Sequence, residues 1–191
     1  MTTTASRPTS TPAATAVTAP RGGEDVITSV AARRTTAALR IAVGFVFLWA
    51  FLDKTFGLGY STASEAAWVN GGTPSQGFLQ FAATGPLQDF FVSIASPASD
   101  VLFMLGMLGV GLAVVLGIGL RVSAVAGSLI MAMMWLAEWP LAAGSSNPVV
   151  DYHVVYAIAL VVFALVFAGD TWGLGTWWRK LPIVQKLTWL R

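Results

Sequence analysis

Four long apolar stretches constrain this chain more than any other feature of its sequence. They run from Thr36 to Leu52, Val101 to Leu120, Val122 to Ala137 and Val149 to Gly169. A helix needs about 20 residues to cross about 30 Å of hydrocarbon, and each stretch is close to that length. The sequence therefore predicts an all-α fold, an integral membrane four-helix bundle.

The composition supports a membrane location. Of the 191 residues, 55% are hydrophobic and only 10% are charged, whereas a soluble domain carries about 25% charged residues. The second and third stretches are separated only by Gly117, Gly119 and Arg121, where two glycines loosen the helix and the single charge favours the membrane surface. We expect a tight helical hairpin there.

Basic residues predict the orientation of the bundle. With four spans, ten of the eleven Lys and Arg residues lie on one side of the membrane and only Lys54 lies on the other. Cytoplasmic segments carry the excess of Lys and Arg, so both termini are predicted to be cytoplasmic, in a bacterial plasma membrane. The opposite side is acidic, and it collects Asp53, Glu65, Asp89, Asp100, Glu138 and Asp151.

Outside the spans the chain divides into three segments. Residues 1–35 are rich in Thr, Ala, Ser and Pro at their start and are predicted to form a disordered cytoplasmic tail. Within the transmembrane domain, residues 36–170, the stretch from Lys54 to Asp100 is predicted to be an interfacial extracytoplasmic loop with a short helix at 87–94. Residues 171–191 combine Trp with Lys and Arg, the pattern of an interfacial anchor.

Small residues recur every four positions on the second and third spans. Membrane helices pack through small residues that allow close approach. These two faces are therefore predicted to meet across the hairpin, although Gly and Ala are also common in membrane helices generally. Their members are Gly109, Ala113 and Gly117 on the second span, and Ala124, Ser128 and Ala132 on the third.

The chain contains no cysteine and one histidine, His153. Without cysteine it cannot ligate an iron-sulfur cluster through thiolates or attach haem c covalently. One histidine also excludes a bis-histidine haem within one chain, and a zinc ion would need carboxylate, water or partner ligands. The sequence predicts no metal site, and nothing in it indicates a nucleic-acid partner.

Residues that can carry chemistry cluster at the outer ends of three spans. His153 and Tyr156 share a helix face, and together they offer hydrogen bonds and proton transfer to a quinone head. Flat aromatic walls would complete such a pocket. The predicted proton carriers are Asp53, Glu138 and Asp151, the predicted walls are Trp49 and Trp135, and Lys54 is predicted to bind substrate.

Structural roles for the same residues remain open at this point. Charges within a turn of the membrane surface can reach water, so each carboxylate can be a simple helix-end charge. His153 can instead hydrogen-bond Glu138 or Asp53 and hold helices together. Lys54 can form an ion pair with Asp53 or supply a positive charge for an anionic substrate.

Several segments together resemble the DoxX and DoxD group of bacterial membrane proteins. The run RIAVGFVFLWAFLDK, residues 40–54, is similar to the first-span signature of that group. The actinobacterial members have a loop like Asn70-Gly-Gly-Thr-Pro74, Gly77-Phe78-Leu79 and Gly85-Pro86. Their fourth span begins like Asp151-Tyr-His153 with Tyr156, and their tail is like Gly173-Leu-Gly175 with Trp177-Trp178.

The resemblance implies a four-helix membrane fold and a redox role. DoxD is the large subunit of a thiosulfate to quinone oxidoreductase with a smaller DoxA partner. Mycobacterial DoxX relatives are linked to a membrane complex for thiol and oxidative stress that includes a sulfurtransferase and a superoxide dismutase. Two functions follow as expectations: a subunit of an oxidoreductase that binds a menaquinone-like quinone, or a non-catalytic scaffold that docks a redox partner in the lipid bilayer. A homo-oligomer is compatible with both.

Overall fold

The computed structural model describes residues 22–142, 144–145 and 147–191. In this part of the chain all regular structure is helical, which confirms the all-α prediction. The α-helices described are α1 (Gly23–Val26), α2 (Val30–Phe56), α3 (Gln88–Ile94), α4 (Pro97–Leu116), α5 (Leu120–Ala137), α6 (Tyr152–Leu165), α7 (Gly175–Trp178) and α8 (Pro182–Lys186). Residues 1–21, most of the predicted disordered tail, lie outside the described residues.

Three of these helices, α2, α4 and α5, are long and apolar enough to cross a membrane. The longest, α2, has 27 residues, or about 40 Å. It begins at Val30, before the predicted start at Thr36, because the side chain of Ser29 caps it by accepting a hydrogen bond from the Ala32 N–H. It ends at Phe56, followed by Gly57 in the left-handed conformation. Helix formation thus extends beyond the apolar run at both ends.

The hairpin between α4 and α5 lies where the glycines predicted it. Gly117 (φ 73°) and Gly119 (φ 54°) both adopt the left-handed conformation, which costs glycine little because it has no Cβ. At the opposite end of α4, Ser96 and Ser99 form reciprocal capping hydrogen bonds, and Pro97 occupies the first helical position. The chain reverses direction within the Leu116–Leu120 connection.

Helix α6 is shorter than the predicted fourth span. It has 14 residues, about 21 Å, instead of the whole stretch from Val149 to Gly169. It starts at Tyr152, where Asp151 has an extended backbone and caps the first turn with its side chain. Beyond its end, Phe167 takes a left-handed conformation and a 3-10 turn follows at Ala168–Asp170. Among the described helices, therefore, three and not four have the length of a membrane span.

The four longest helices share one apolar core. Helix α2 packs mainly on α4 and α5 mainly on α6, and α4 and α5 join the two pairs. The core is formed by buried side chains from all four helices, including Phe47, Met107, Val114, Met131, Leu160 and Phe163. Glycines allow the closest approaches: a Cβ on Gly111 would lie 2.7 Å from the Leu48 nitrogen, and one on Gly44 would lie 2.8 Å from the Val115 nitrogen.

We call the side of the molecule that carries residues 57–96, 138–142, 144–145 and 147–151 the loop end. Its long loop contains short 3-10 and π segments and α3, which confirms the helix predicted at 87–94. The carboxylate of Asp100 accepts hydrogen bonds from Ser75 and Gln76 and so attaches the loop to the start of α4. The Thr84 N–H donates to the Ala137 carbonyl at 2.8 Å, which attaches the loop to α5.

The opposite side, which carries the α4–α5 connection, is the hairpin end. Arg40 of α2 is fully buried there and donates to the backbone carbonyls of Val114, Val115 and Trp172. Its guanidinium therefore satisfies carbonyls at the C-terminus of α4, where the helix dipole favours a cation. Asp170 binds Arg179 and the Gly23 N–H, so the segments before α2 and after α6 meet at this end.

Candidate functional site

His153 and Asp151 form the centre of the candidate site at the start of α6. Asp151 caps the helix, since its Oδ1 accepts hydrogen bonds from the backbone N–H groups of His153 (3.0 Å) and Val154 (3.3 Å). Its Oδ2 lies 2.8 Å from Nδ1 of His153. The His153 side chain is fully buried, whereas 12% of the Asp151 side chain is exposed. The cap thus also fixes the orientation of the imidazole.

The carboxylate of Asp151 holds both the backbone and the ring of His153. One of its oxygens accepts from two backbone N–H groups, and the other lies within hydrogen-bond distance of Nδ1. An ionised carboxylate can only accept hydrogen bonds. With Asp151 ionised, Nδ1 of His153 is therefore the donor in this contact.

Glu138, at the C-terminus of α5, completes a group of three titratable side chains. One oxygen of Glu138, one of Asp151 and one ring nitrogen of His153 all lie within 4.8 Å of one another. Glu138 is exposed, so this group joins a buried imidazole to the surface of the loop end. The spacing suits the exchange of a proton, and it would also admit a cation, which the sequence did not predict.

A cavity of about 180 Å³ lies between α5 and α6 beside this group. Its lining includes His153 and Trp135, and the other lining residues are apolar: Met131, Ala132, Val154, Ala157 and Ile158. Ile158 is 59% exposed, so apolar surface surrounds the opening. The cavity is therefore open to an apolar ligand from the outer face of these two helices.

Two ring nitrogens of the residues that line this cavity have no hydrogen-bond partner. They are Nε2 of His153 and Nε1 of Trp135, and both are buried. A buried polar group without a partner costs about 1–3 kcal/mol. Among the described residues only one other buried side-chain nitrogen, Nε of Arg40, is in this condition, and it lies at the hairpin end. Two of these three nitrogens thus belong to residues that line the cavity, whose exposed surface is apolar.

Tyr156 lies one turn beyond His153 but does not line the cavity. Its ring is half-buried and contacts Phe47 of α2, with centroids 6.5 Å apart, and Tyr152, with centroids 6.1 Å apart. Tyr152 in turn stacks on His153 at 4.0 Å. His153 and Tyr156 are therefore linked through Tyr152, whose ring contacts both of theirs. Tyr156 is the member of this row that packs on the core, at Phe47.

The other predicted site residues lie apart from the cavity. Asp53 is fully buried and accepts hydrogen bonds from the backbone and hydroxyl of Ser61 and from the Tyr60 N–H. Trp49 packs on Tyr60, with centroids 5.1 Å apart. Lys54 is half-buried, and none of the ion pairs between described residues involves it. Neither Asp53, Lys54 nor Trp49 is among the residues that line the cavity.

Two details of the predicted pocket are therefore corrected. Trp49 and Trp135 were expected to wall one pocket, but only Trp135 lines the cavity, and Trp49 packs on Tyr60 of the loop. His153 was expected to bind Glu138 or Asp53 if it joined helices, but its hydrogen bond is to Asp151, two residues away on its own segment. That bond orients the ring and does not connect two helices.

Sequence reasoning missed the apolar lining of the cavity. Met131 and Ala132 lie one turn before Trp135, while Ala157 and Ile158 lie one turn after His153 and Val154. Residues three and four apart share a helix face. The residues one turn before Trp135 on α5 and one turn after His153 on α6 would have identified this lining from the sequence.

In comparisons with protein-family models, curated proteins and solved structures, no match to this chain was found.

Proposed function

We propose that this chain is a quinone-binding protein of the bacterial plasma membrane, with the head of the quinone in the cavity between α5 and α6. The observation that carries this proposal is the pair of buried, unpartnered nitrogens, His153 Nε2 and Trp135 Nε1, on residues that line an apolar cavity. A quinone combines an apolar ring and tail with carbonyl oxygens. Its ring would pack on the apolar lining, and a rotation of the His153 or Trp135 side chain would bring a nitrogen to one of its oxygens.

The size and opening of the cavity suit such a ligand. An apolar cavity of about 150 Å³ can hold benzene, so one of about 180 Å³ accommodates a single quinone ring. A menaquinone-like head has two fused rings, and its second ring would lie at the opening. The exposed Ile158 there is apolar, so a lipid tail would leave towards the bilayer.

The remaining groups of the site have complementary roles in the proposal. Asp151 positions His153, and Glu138 exchanges protons between this pair and the water at the loop end. Asp53 has a separate task, since its carboxylate is occupied by Ser61 and Tyr60. With proton exchange at its head, a bound quinone can accept or release electrons through a partner subunit. This is the redox role implied by the resemblance to DoxX and DoxD proteins.

We further propose four membrane spans, with both termini in the cytoplasm and residues 171–191 on the inner membrane surface. The support comes from the two ends of α6. Its start lies beside Glu138 at the loop end. Just beyond its last turn, Gly169 approaches Gly117 of the hairpin so closely that a Cβ would lie 2.0 Å from the Gly117 carbonyl oxygen. The segment from Asp151 to Gly169 therefore covers the same distance as α5 in the opposite direction.

Loss of quinone from a variant at Trp135 tests the proposal. Trp135→Phe removes the N–H but keeps an aromatic ring, and we expect about tenfold weaker binding of a decyl-substituted benzoquinone to the purified protein. The matched control is Trp49→Phe, a half-buried tryptophan that does not line the cavity, and its affinity should equal that of the wild type. Equal affinities in all three proteins would contradict the proposed site.

A scaffold without a bound quinone is the second candidate. It is favoured by aromatic side chains exposed at the loop end, where Tyr60 is 78% and Phe81 is 85% exposed. Such side chains are common both in partner interfaces and at membrane surfaces. A purified protein that retains no quinone and binds none on titration would favour the scaffold.

A further inference from the structure

The tail, residues 171–191, is folded onto the hairpin end. The Leu174 N–H donates to the carbonyl of Leu116, at the end of α4, at 2.8 Å. Nε1 of Trp178 donates to the Leu190 carbonyl at 2.7 Å, which brings the two halves of the tail together. These bonds fix the backbone of the tail, so its exposed side chains form a defined surface.

That surface is rich in large apolar side chains. The hairpin end is where α4 and α5 meet, and both helices are long and apolar enough to cross a membrane. Tryptophan is enriched at the level of the lipid headgroups, where its ring is apolar and its N–H reaches water. A membrane surface therefore suits the exposed apolar side chains of the tail, which are Trp172, Leu174, Trp177, Ile183, Leu187 and Trp189.

Cations alternate with these apolar side chains along the tail. The tail has four Lys or Arg residues and no Asp or Glu. Arg179 forms an ion pair with Asp170, just before the tail. Lys180, Lys186 and Arg191 are exposed, and none of the ion pairs between described residues involves them. These three charges are available to a ligand.

The carboxylates at the hairpin end already have partners. Asp170 pairs with Arg179, and Glu24 pairs with Arg33. Asp25 accepts a hydrogen bond from a backbone N–H before α1. The surface of the tail therefore keeps a net positive charge.

Several of the basic side chains converge in space. Arg179 and Arg191 are twelve positions apart, yet both line one small depression beside Gly117 of the hairpin. Arg121, at the start of α5, donates to the Thr188 carbonyl of the tail. Guanidinium groups bind phosphate oxygens strongly and with defined geometry. The hairpin end thus combines phosphate-binding groups with an apolar surface.

We infer that the hairpin end binds anionic phospholipids, with the headgroup on Lys180, Lys186 and Arg191 and the acyl chains against the exposed apolar side chains of the tail. Basic residues beside a membrane-embedded segment attract anionic lipids. A free phosphate would use only the cations. The inference rests on the proposed membrane spans, to which it adds a lipid class, and it does not depend on the quinone site.

The first measurement compares two lipids in the wild-type protein. Purified protein in detergent is titrated with dioleoyl phosphatidylglycerol or dioleoyl phosphatidylcholine, and native mass spectrometry counts the bound lipids. We expect at least about fivefold tighter binding of the phosphatidylglycerol, since one Lys or Arg near an anionic surface contributes about 1 kcal/mol. Raising the concentration of ammonium acetate should reduce this preference, because salt screens exposed charges.

The second measurement removes the three cations together. In the variant Lys180→Gln/Lys186→Gln/Arg191→Gln, the two lipids should bind with equal affinity, because the apolar surface remains while the charge is lost. The matched control is Lys54→Gln, which removes a cation at the loop end and should keep the preference of the wild type. Glycerophosphoglycerol, the same headgroup without acyl chains, should not displace phosphatidylglycerol from the wild type.

The outcomes separate the inference from the proposals around it. Equal affinity of the wild type for the two lipids overturns it, and so does a preference that the triple variant retains. Displacement of the lipid by glycerophosphoglycerol also overturns it and would indicate a site for a soluble phosphate compound. If neither lipid binds, the position of this end at a membrane surface fails together with the inference. Quinone titrations use none of these lipids, so they test the proposed function independently.

Discussion

At the scale of single residues, Asp53 and Asp151 show how hydrogen bonds assign different tasks to similar carboxylates. Both lie at the loop end, and both accept several hydrogen bonds. The partners of Asp53 are Ser61 and Tyr60, in the loop that follows α2. Those of Asp151 are the first turn of α6 and the imidazole of His153. Asp53 therefore stabilises a loop, and Asp151 organises a site.

Removal of the Asp53 carboxylate should affect stability without affecting the cavity. We expect Asp53→Ala to lower the free energy of unfolding by about 1–3 kcal/mol, because hydrogen bonds to a charged acceptor are lost. Affinity for the benzoquinone, measured on the folded protein, should be unchanged. Asp53→Asn is the control and should lose less, since it keeps one carbonyl oxygen. Thermal unfolding in detergent and ligand titration provide the measurements, and lost binding with unchanged stability would contradict this assignment.

The sequence identified His153 and Trp135 but could not assign the carboxylate that binds the His153 ring. Ionisable residues near a span end are conspicuous in a chain with 10% charged residues, so the candidates were visible. The hydrogen bond to Asp151 depends on cap geometry, which places that side chain over the first turn of α6. The pattern Asp-x-His at a helix start is a usable signal for such a pair. The Trp49 side chain packs on Tyr60. Tyr60 lies in an irregular loop, so helical spacing could not predict this contact.

At the scale of helices, close packing in the bundle also involves glycines outside the predicted four-residue pattern, namely Gly111 and Gly127. A Cβ on Gly109 would meet nothing within 4 Å, whereas one on Gly111 would meet the backbone of Leu48. On α5, Gly127 faces Leu160 of α6, and the Ser128 hydroxyl donates to the Ala157 carbonyl. Two members of the predicted faces therefore do not form the contact across the hairpin: Gly109 has no close neighbour, and Ser128 bonds to α6.

Alanine at these two glycines of α4 gives a matched test of helix packing. We expect Gly111→Ala to lower the free energy of unfolding by about 1–3 kcal/mol, because a methyl group must displace the α2 backbone. Gly109→Ala should leave stability unchanged or raise it by up to about 1 kcal/mol, since alanine favours a helix. Thermal unfolding of both variants in the same detergent measures the difference. Equal effects, or a larger loss at Gly109, would contradict the α2–α4 contact.

The sequence predicted which segments form helices more reliably than it predicted where each helix ends or which helix it contacts. Apolar runs located α2, α4, α5 and α6 because burial in lipid or core requires them. The ends depend on caps outside those runs, as Ser29 and Asp151 show. Partners depend on which small residues face one another in space. Small residues are spread over several faces of α4, so spacing alone did not distinguish Gly111 from Gly109.

At the scale of the whole molecule, the proposed topology depends on α6. Its 14 residues are short for a span, yet its flanking segments extend it from the group at Glu138 to the hairpin at Gly117. If α5 crosses the membrane, a segment that returns over the same distance crosses it as well. The basic tail would then lie on the side of the hairpin, together with Arg121, which donates to the Thr188 carbonyl.

Labelling of single cysteines can decide between three and four spans, because the natural chain has no cysteine. Cysteines at Thr73 and Ser145, both exposed at the loop end, should react with a membrane-impermeant maleimide in intact cells. A cysteine at the exposed Thr188 should react only after the membrane is opened, because four spans return the tail to the cytoplasm. Reaction of the denatured variants controls for expression and reactivity. With three spans the cysteine at Thr188 would react from outside, like those at Thr73 and Ser145. That result would show that α6 does not cross the membrane.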